Sequence, residues 1–194
     1  MKGRRRSKVV FGLLIFGLVA VVGGAAYWWR AGWLERSQDG PIRAAARRYG
    51  VEPALVKAVV WQESRFKPTA RGHSGEIGLM QLQEEAAREW VEAEHVGGFD
   101  HEHCLDPGTN TLAGTYYLKK LLKRYRQTDN PAPYALADYN AGRGNVLKWL
   151  TGAAATNSAA FIEQIGFPGT RDYVNAVMER YGYYRTRFPA NPPR

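Results

Sequence analysis

The feature that most limits what this chain can fold into is a run of 21 uncharged residues from Val9 to Trp29, VVFGLLIFGLVAVVGGAAYWW. At about 1.5 Å rise per residue, such a helix spans the roughly 30 Å hydrocarbon core of a bilayer. Lys2, Arg4, Arg5, Arg6 and Lys8 precede the run, and Tyr27, Trp28 and Trp29 close it. That order predicts a basic cytoplasmic tail (1–8), a transmembrane anchor (9–29) and an aromatic belt at the far interface, with the rest of the chain outside the cytoplasm. A cleaved signal peptide is the rival reading, since Gly23-Gly24-Ala25-Ala26 offers small residues for cleavage. Signal h-regions are usually about 7 to 15 residues long, so the greater length favours a retained anchor. Arg30 to Gly40 reads as a linker, and 41–190 as one globular domain.

The formal charge of +9 is partly an end effect. Five of the 27 basic residues lie in the tail, leaving 22 against 18 acidic ones. That small excess suits an anionic polymer or an ordinary solvated surface, and no zinc-finger, RRM or basic-helix pattern points to nucleic acid. Cys104 is alone, so no internal disulfide forms. His101, Glu102 and His103 beside it lack the second ligand pair of a closed zinc site, so the segment reads as a surface loop. No metal or nucleotide signature occurs, and no cofactor is implied.

Beyond the linker the apolar residues recur at helical spacing, and the expected class is mainly α. Pro41 opens a helix that Gly50 stops after Tyr49, and Pro53 opens the next. Leu118, Leu121, Leu122 and Tyr125 form an apolar stripe, with Lys119, Lys120, Lys123 and Arg124 on the wet side. Tyr173, Val177, Tyr181 and Tyr184 mark the last helix in the same way. No set of strands is evident outside the Arg71 to Gly78 loop.

The helix after Pro53 carries an anomaly. Val56, Val59, Val60 and Glu63 share one stripe, with Glu63 roughly 20° from Val56 and about 40° from Val59 around the axis. A carboxylate on a core-facing stripe is costly when ionised, so burial raises its pKa and keeps it a proton donor near neutrality. A glycosidic oxygen needs such a donor to leave. Pairing with Arg65 at the helix end is the plainer alternative.

The run Glu63-Ser64-Arg65-Phe66-Lys67-Pro68-Thr69-Ala70, followed by Gly75-Glu76-Ile77-Gly78-Leu79-Met80-Gln81, resembles the catalytic core of soluble-type lytic transglycosylases. Asp106-Pro107 with Asn110, Ala113-Gly114 and Tyr117-Leu118 is similar to that family's DP-N-AG-YL segment. Ala135 to Gly144 is similar to its ALA-YNAG-G segment, and Thr170-Arg171-Asp172-Tyr173-Val174 to its TR-YV segment. Four segments in order, over about residues 42 to 184, make the resemblance specific.

The resemblance implies a lysozyme-like helical domain, of the goose-type lysozyme and SLT kind, with a substrate cleft behind one N-terminal transmembrane helix. It implies an enzyme on the outer side of a bacterial inner membrane that cleaves peptidoglycan glycan strands between N-acetylmuramic acid and N-acetylglucosamine. Glu63 would be the acid and base and the product a 1,6-anhydro ring. Tyr139 would reach Glu63 through its hydroxyl. Ser64, Gly78, Met80, Gln81 and Asn140 would serve substrate binding, Ser64 by positioning the acid or its loop.

The chain departs from the family pattern in places. Glu76 and Asp138 stand where Ala is usual and read as solvated surface groups. Were Glu76 to face the cleft, water activation and a hydrolytic muramidase would result. Gly72 stands where Ser is frequent, Leu82-Gln83-Glu84 replaces I-M-P, and Gly169 replaces a Glu. An inactive glycan-binding protein on the same fold is the remaining alternative, against which the presence of Glu63 argues.

Overall fold

The computed structural model describes residues 2–190, as nine α-helices and two short 3₁₀ turns. Among these residues there is no strand, only isolated antiparallel bridges joining Ile77 to Arg71 and to Leu82. The chain divides into two compact units after Ser37.

The first unit is one helix, α1, Lys2–Ser37. It contains an 18-residue window of mean hydropathy 2.0, long and apolar enough to cross a membrane. Its large apolar side chains, among them Leu14, Phe16, Val21 and Trp28, are exposed. The expected linker over 30–40 differs: α1 continues through Ser37 before the unit boundary. Only Gly32 interrupts good helix formers in this stretch, and one glycine costs about 1 kcal/mol, too little to stop a helix already propagating.

The second unit begins with α2, Asp39–Tyr49, two residues ahead of the predicted start because proline is tolerated within a first turn. Gly50 ends it in the left-handed region at φ 63°. α3, Pro53–Ser64, runs through the middle of the domain, packed against α2 and α9. Its predicted stripe of Val56, Val59 and Val60 is fully buried, and so are Ala54 and Ala58 on other faces. Even Lys57 is buried. Its ammonium is 2.6 Å from an Asp39 carboxylate oxygen and lies over the Phe188 ring, which offsets the cost of taking the charge out of water.

α4 is Glu84–Glu94, and α5 is Pro107–Arg124, which packs on α2, α4 and α6 through Leu118 and Leu121. α6, Pro131–Ala141, packs on α5 and α9. The short helices α7, Arg143–Trp149, and α8, Ser158–Gln164, lead to α9, Pro168–Arg187, which buries Tyr173, Val177 and Tyr184. Tyr181 of the same expected stripe is instead half-buried, its hydroxyl bonded to Glu52.

Residues His101–Leu105 are not a loose surface loop but a 3₁₀ turn, capped by the Asp100 side chain. Cys104 is fully buried there, and burial pushes its thiol up to about 12. No group of three His, Cys, Asp or Glu placed to hold a metal ion occurs among the described residues.

Candidate active site

Glu63 stands in the last turn of α3, and the backbone just beyond that helix is conformationally unusual. Arg65 and Phe66 both have positive φ, at 50° and 62°. Bulky side chains rarely adopt that region, which costs on the order of 1 kcal/mol or more each and persists only where other contacts over-determine it. Here the Arg65 N–H bonds to the Trp61 carbonyl and Phe66 is buried. The double left-handed turn stops the helix directly after the carboxylate and throws the chain into a loop over the cleft.

That loop is held from α5. The Asn110 side chain, fully buried, accepts from the Met80 N–H at 2.7 Å and donates to the carbonyls of Ile77 at 2.9 Å and Cys104 at 2.8 Å. It therefore substitutes for backbone pairing that a real sheet would provide. Ser64 ties the other end, its hydroxyl 2.8 Å from the Leu79 carbonyl and 3.1 Å from that of Val60.

The loop, α5 and α6 enclose an open cleft of about 620 Å³ with Glu63 in its wall. Burial raises Glu63 to about 7, opposed by a hydrogen bond from Tyr173 and reinforced by the charge of Glu76. The Tyr173 hydroxyl donates to Oε1 of Glu63 at 2.6 Å. The other carboxyl oxygen has no protein hydrogen bond among the described residues and is the one available to a ligand in the cleft.

The remaining expected site residues divide into two groups. Gln81 and Asn140 line the cleft with Tyr139. Gln81, at φ 45°, donates to the carbonyls of Ala70 and Gly78, and Asn140 accepts from the Thr170 hydroxyl at 2.8 Å. Ser64, Gly78 and Met80 are buried and form no part of the cleft wall. Gly78 is needed because its φ is +80° and a Cβ there would lie 2.1 Å from Asn110 Nδ2. Met80 packs on Gly114, where a Cβ would lie 2.5 Å from its sulfur. These three residues shape the loop from behind.

Tyr139 does not reach Glu63 by a hydrogen bond. Its hydroxyl donates to the Met80 carbonyl at 2.7 Å, and its ring packs beside Tyr117. Tyr173, which sequence reasoning placed in a core stripe, touches the acid instead. The available signal was its position in the TR-YV segment.

The two extra carboxylates also behave otherwise than as solvated surface groups. Asp138 is only 2% exposed, paired with Arg124 and accepting from the Tyr125 hydroxyl at 2.7 Å. Glu76 lines the cleft, anchored by the Ser74 N–H at 2.9 Å. Neither Lys nor Arg lines the cleft. The arrangement thus offers a proton donor with one free oxygen, polar groups from Gln81, Gln83 and Asn140 to hold a ligand, and aromatic faces from Tyr117 and Tyr139.

The fold agrees with that of the proteins the chain resembles. Residues 40–162, more than half of the chain, match the transglycosylase SLT domain, and the chain belongs to that family. It is 37% identical over 137 residues to the soluble lytic murein transglycosylase of Escherichia coli K12, covering 70% of this chain and 21% of that protein. It is 37% identical over 115 residues to the membrane-bound lytic murein transglycosylase C of Klebsiella pneumoniae, covering 56% of this chain and 32% of that one. Among solved structures, an inactive Glu-to-Gln mutant of the lytic transglycosylase Slt from Pseudomonas aeruginosa superposes with a TM-score of 0.71 at 28% identity, over 79% of this chain and 25% of that chain. The chain therefore spans about a fifth to a third of the length of these relatives.

Proposed function

We propose that this chain is a membrane-anchored lytic transglycosylase that cleaves the β-1,4 bond between N-acetylmuramic acid and N-acetylglucosamine in peptidoglycan. The observation that carries the reading is Glu63: a half-buried carboxyl in a cleft wall, raised to about 7, with one oxygen held by Tyr173 and the other free. Its relatives' names, and the inactivity of the Glu-to-Gln mutant of one of them, support it.

In this mechanism the free oxygen of Glu63 gives its proton to the departing glycosidic oxygen as the C1–O bond breaks. The substrate's own acetamido group stabilises the electron-poor C1, so no protein nucleophile is needed. Glu63, now ionised, takes the proton of the muramyl 6-hydroxyl as that oxygen bonds to C1 and closes the 1,6-anhydro ring. Tyr173 holds the ionised form between the two steps by its hydrogen bond. Met80, Gly78 and Ser64 act through the loop, while Gln81 and Asn140 face the sugar.

The apolar helix α1 would hold the enzyme in the bacterial inner membrane, with the basic residues before Val9 inside and the catalytic domain outside.

A hydrolytic muramidase is the second reading, favoured by one observation: Glu76 lines the same cleft and could draw a proton from water. Digestion of purified sacculi with mass spectrometry of the products decides between them. Transglycosylation gives muropeptides about 18 Da lighter than the reducing products of hydrolysis. Predominantly reducing products would replace the first reading by the second, and no release of any product would leave a glycan-binding protein.

A further inference from the structure

Two of the chain's departures from its family pattern, Gly72 for Ser and Glu76 for Ala, meet in space. A Cβ built on Gly72 would lie 2.2 Å from Oε2 of Glu76 and 2.9 Å from its carboxyl carbon. The Glu76 carboxylate therefore occupies the room that any side chain at 72 would take. The Ser74 N–H at 2.9 Å fixes the same oxygen, and the Gly72 N–H bonds to the Glu76 carbonyl at 2.7 Å. The Ser74 N–H thus anchors the half-buried group at the cleft wall.

The charge around it is one-sided. The other titratable groups around Glu63 and the cleft are Tyr173 and Tyr139, whose phenols burial pushes up, with Tyr117 from α5, His73 on the loop and Asp138 of α6. α4 contributes only Ala86. Asp138 is neutralised by Arg124, and no ion pair to Glu76 occurs among the described residues. Glu76 is thus the cleft carboxylate whose charge acts on Glu63, in a cleft lined by neither Lys nor Arg.

We propose that Glu76 is a positioning residue of this site: a second carboxylate, admitted by the missing side chain of Gly72, whose charge adds to burial in holding Glu63 in its proton-donating form and extends cleavage to higher pH. The proposal rests on the reading of Glu63 as the acid. Two neighbouring like charges resist joint ionisation, so the fixed one makes the other hold its proton longer.

The test uses the full chain in detergent, with sacculus digestion rate monitored from about pH 4.5 to about pH 9. Glu76→Gln removes the charge at nearly constant shape. Gly72→Ala removes no charge but displaces the carboxylate; Gly72 is not in the left-handed region, and the Cβ also lies 3.0 Å from Oε1 of Gln81, so the position of the alkaline limb, not the absolute rate, is its readout. Both variants are expected to melt close to the wild type and to lose activity earlier on the alkaline side. A shift of roughly half a pH unit would appear as an about three-fold lower ratio of the rate near pH 8 to the rate near pH 5.

Unchanged profiles in both variants would overturn the proposal. A shift in Glu76→Gln alone would overturn the part given to Gly72. A folded Glu76→Gln protein inactive at every pH would also overturn it, by making Glu76 a group that acts on the substrate itself. Failure of the wild type to digest sacculi would instead refute the function proposed above.

Discussion

The Tyr173 hydroxyl donates to Oε1 of Glu63 at 2.6 Å, joining α9 to α3 across 110 residues of sequence. This bond favours the ionised carboxyl, against the larger effect of burial.

Tyr173→Phe is therefore expected to raise Glu63 further and to move the alkaline limb of the pH–rate profile upward, the direction opposite to Glu76→Gln. The rate near neutrality should fall roughly 3- to 30-fold, because the acid loses its orientation and its ionised form loses its donor. A rate profile unchanged in position would show that the bond has no part in turnover.

Glu63→Gln should abolish cleavage, by about a thousand-fold or more, with glycan binding retained. It should also change stability with a definite sign. The carboxyl titrates near 4.5 when unfolded and about 7 when folded, so the native state binds the extra proton between those values. Wild-type stability then falls as pH rises from about 4.5 to 7 and levels off above. Thermal melts should show the Gln variant gaining on the wild type over that window, by about 3 kcal/mol near pH 8. Parallel melting behaviour at the two ends of the window would contradict the burial assigned to this group.

Asp138→Ala leaves the Arg124 guanidinium and the Tyr125 hydroxyl without their shared acceptor in a largely buried site. A loss of about 2 to 4 kcal/mol is expected by chemical denaturation, greater than for an exposed pair such as Arg88 with Glu84. Comparable effects at the two sites would refute this.

Asn110→Ala removes three hydrogen bonds to backbone around the loop and orphans buried groups at Met80, Ile77 and Cys104. About 3 kcal/mol of stability should go with them. Faster amide exchange over the loop between Ala70 and Leu82 is the specific readout, and Gly78→Ala should reproduce it by forcing Asn110 aside. Unaltered exchange there would mean that the loop holds its own shape.

Several features were legible because they are local. The apolar run of α1, the proline opening of α3, the stop at Gly50, and the stripe that carries Glu63 all come from spacing and composition within a few turns. That no strand would form outside the Arg71 to Gly78 loop was legible for the same reason, and none occurs there among the described residues. The linker was misread because a single glycine weighs little against continuing helix propagation.

The sequence by itself determined that an acidic side chain would sit on the apolar face of α3, near the end of a helix that burial surrounds. Which hydroxyl meets that acid, which carboxylate turns into the cleft, and which of the loop residues face inward were decided only by tertiary packing. Tyr139 and Tyr173 stand on α6 and α9, and the choice between them depends on how α9 packs against both α3 and α6. Hydrogen-bond geometry is set to within a few tenths of an ångström, whereas helical periodicity places a side chain only to within a face.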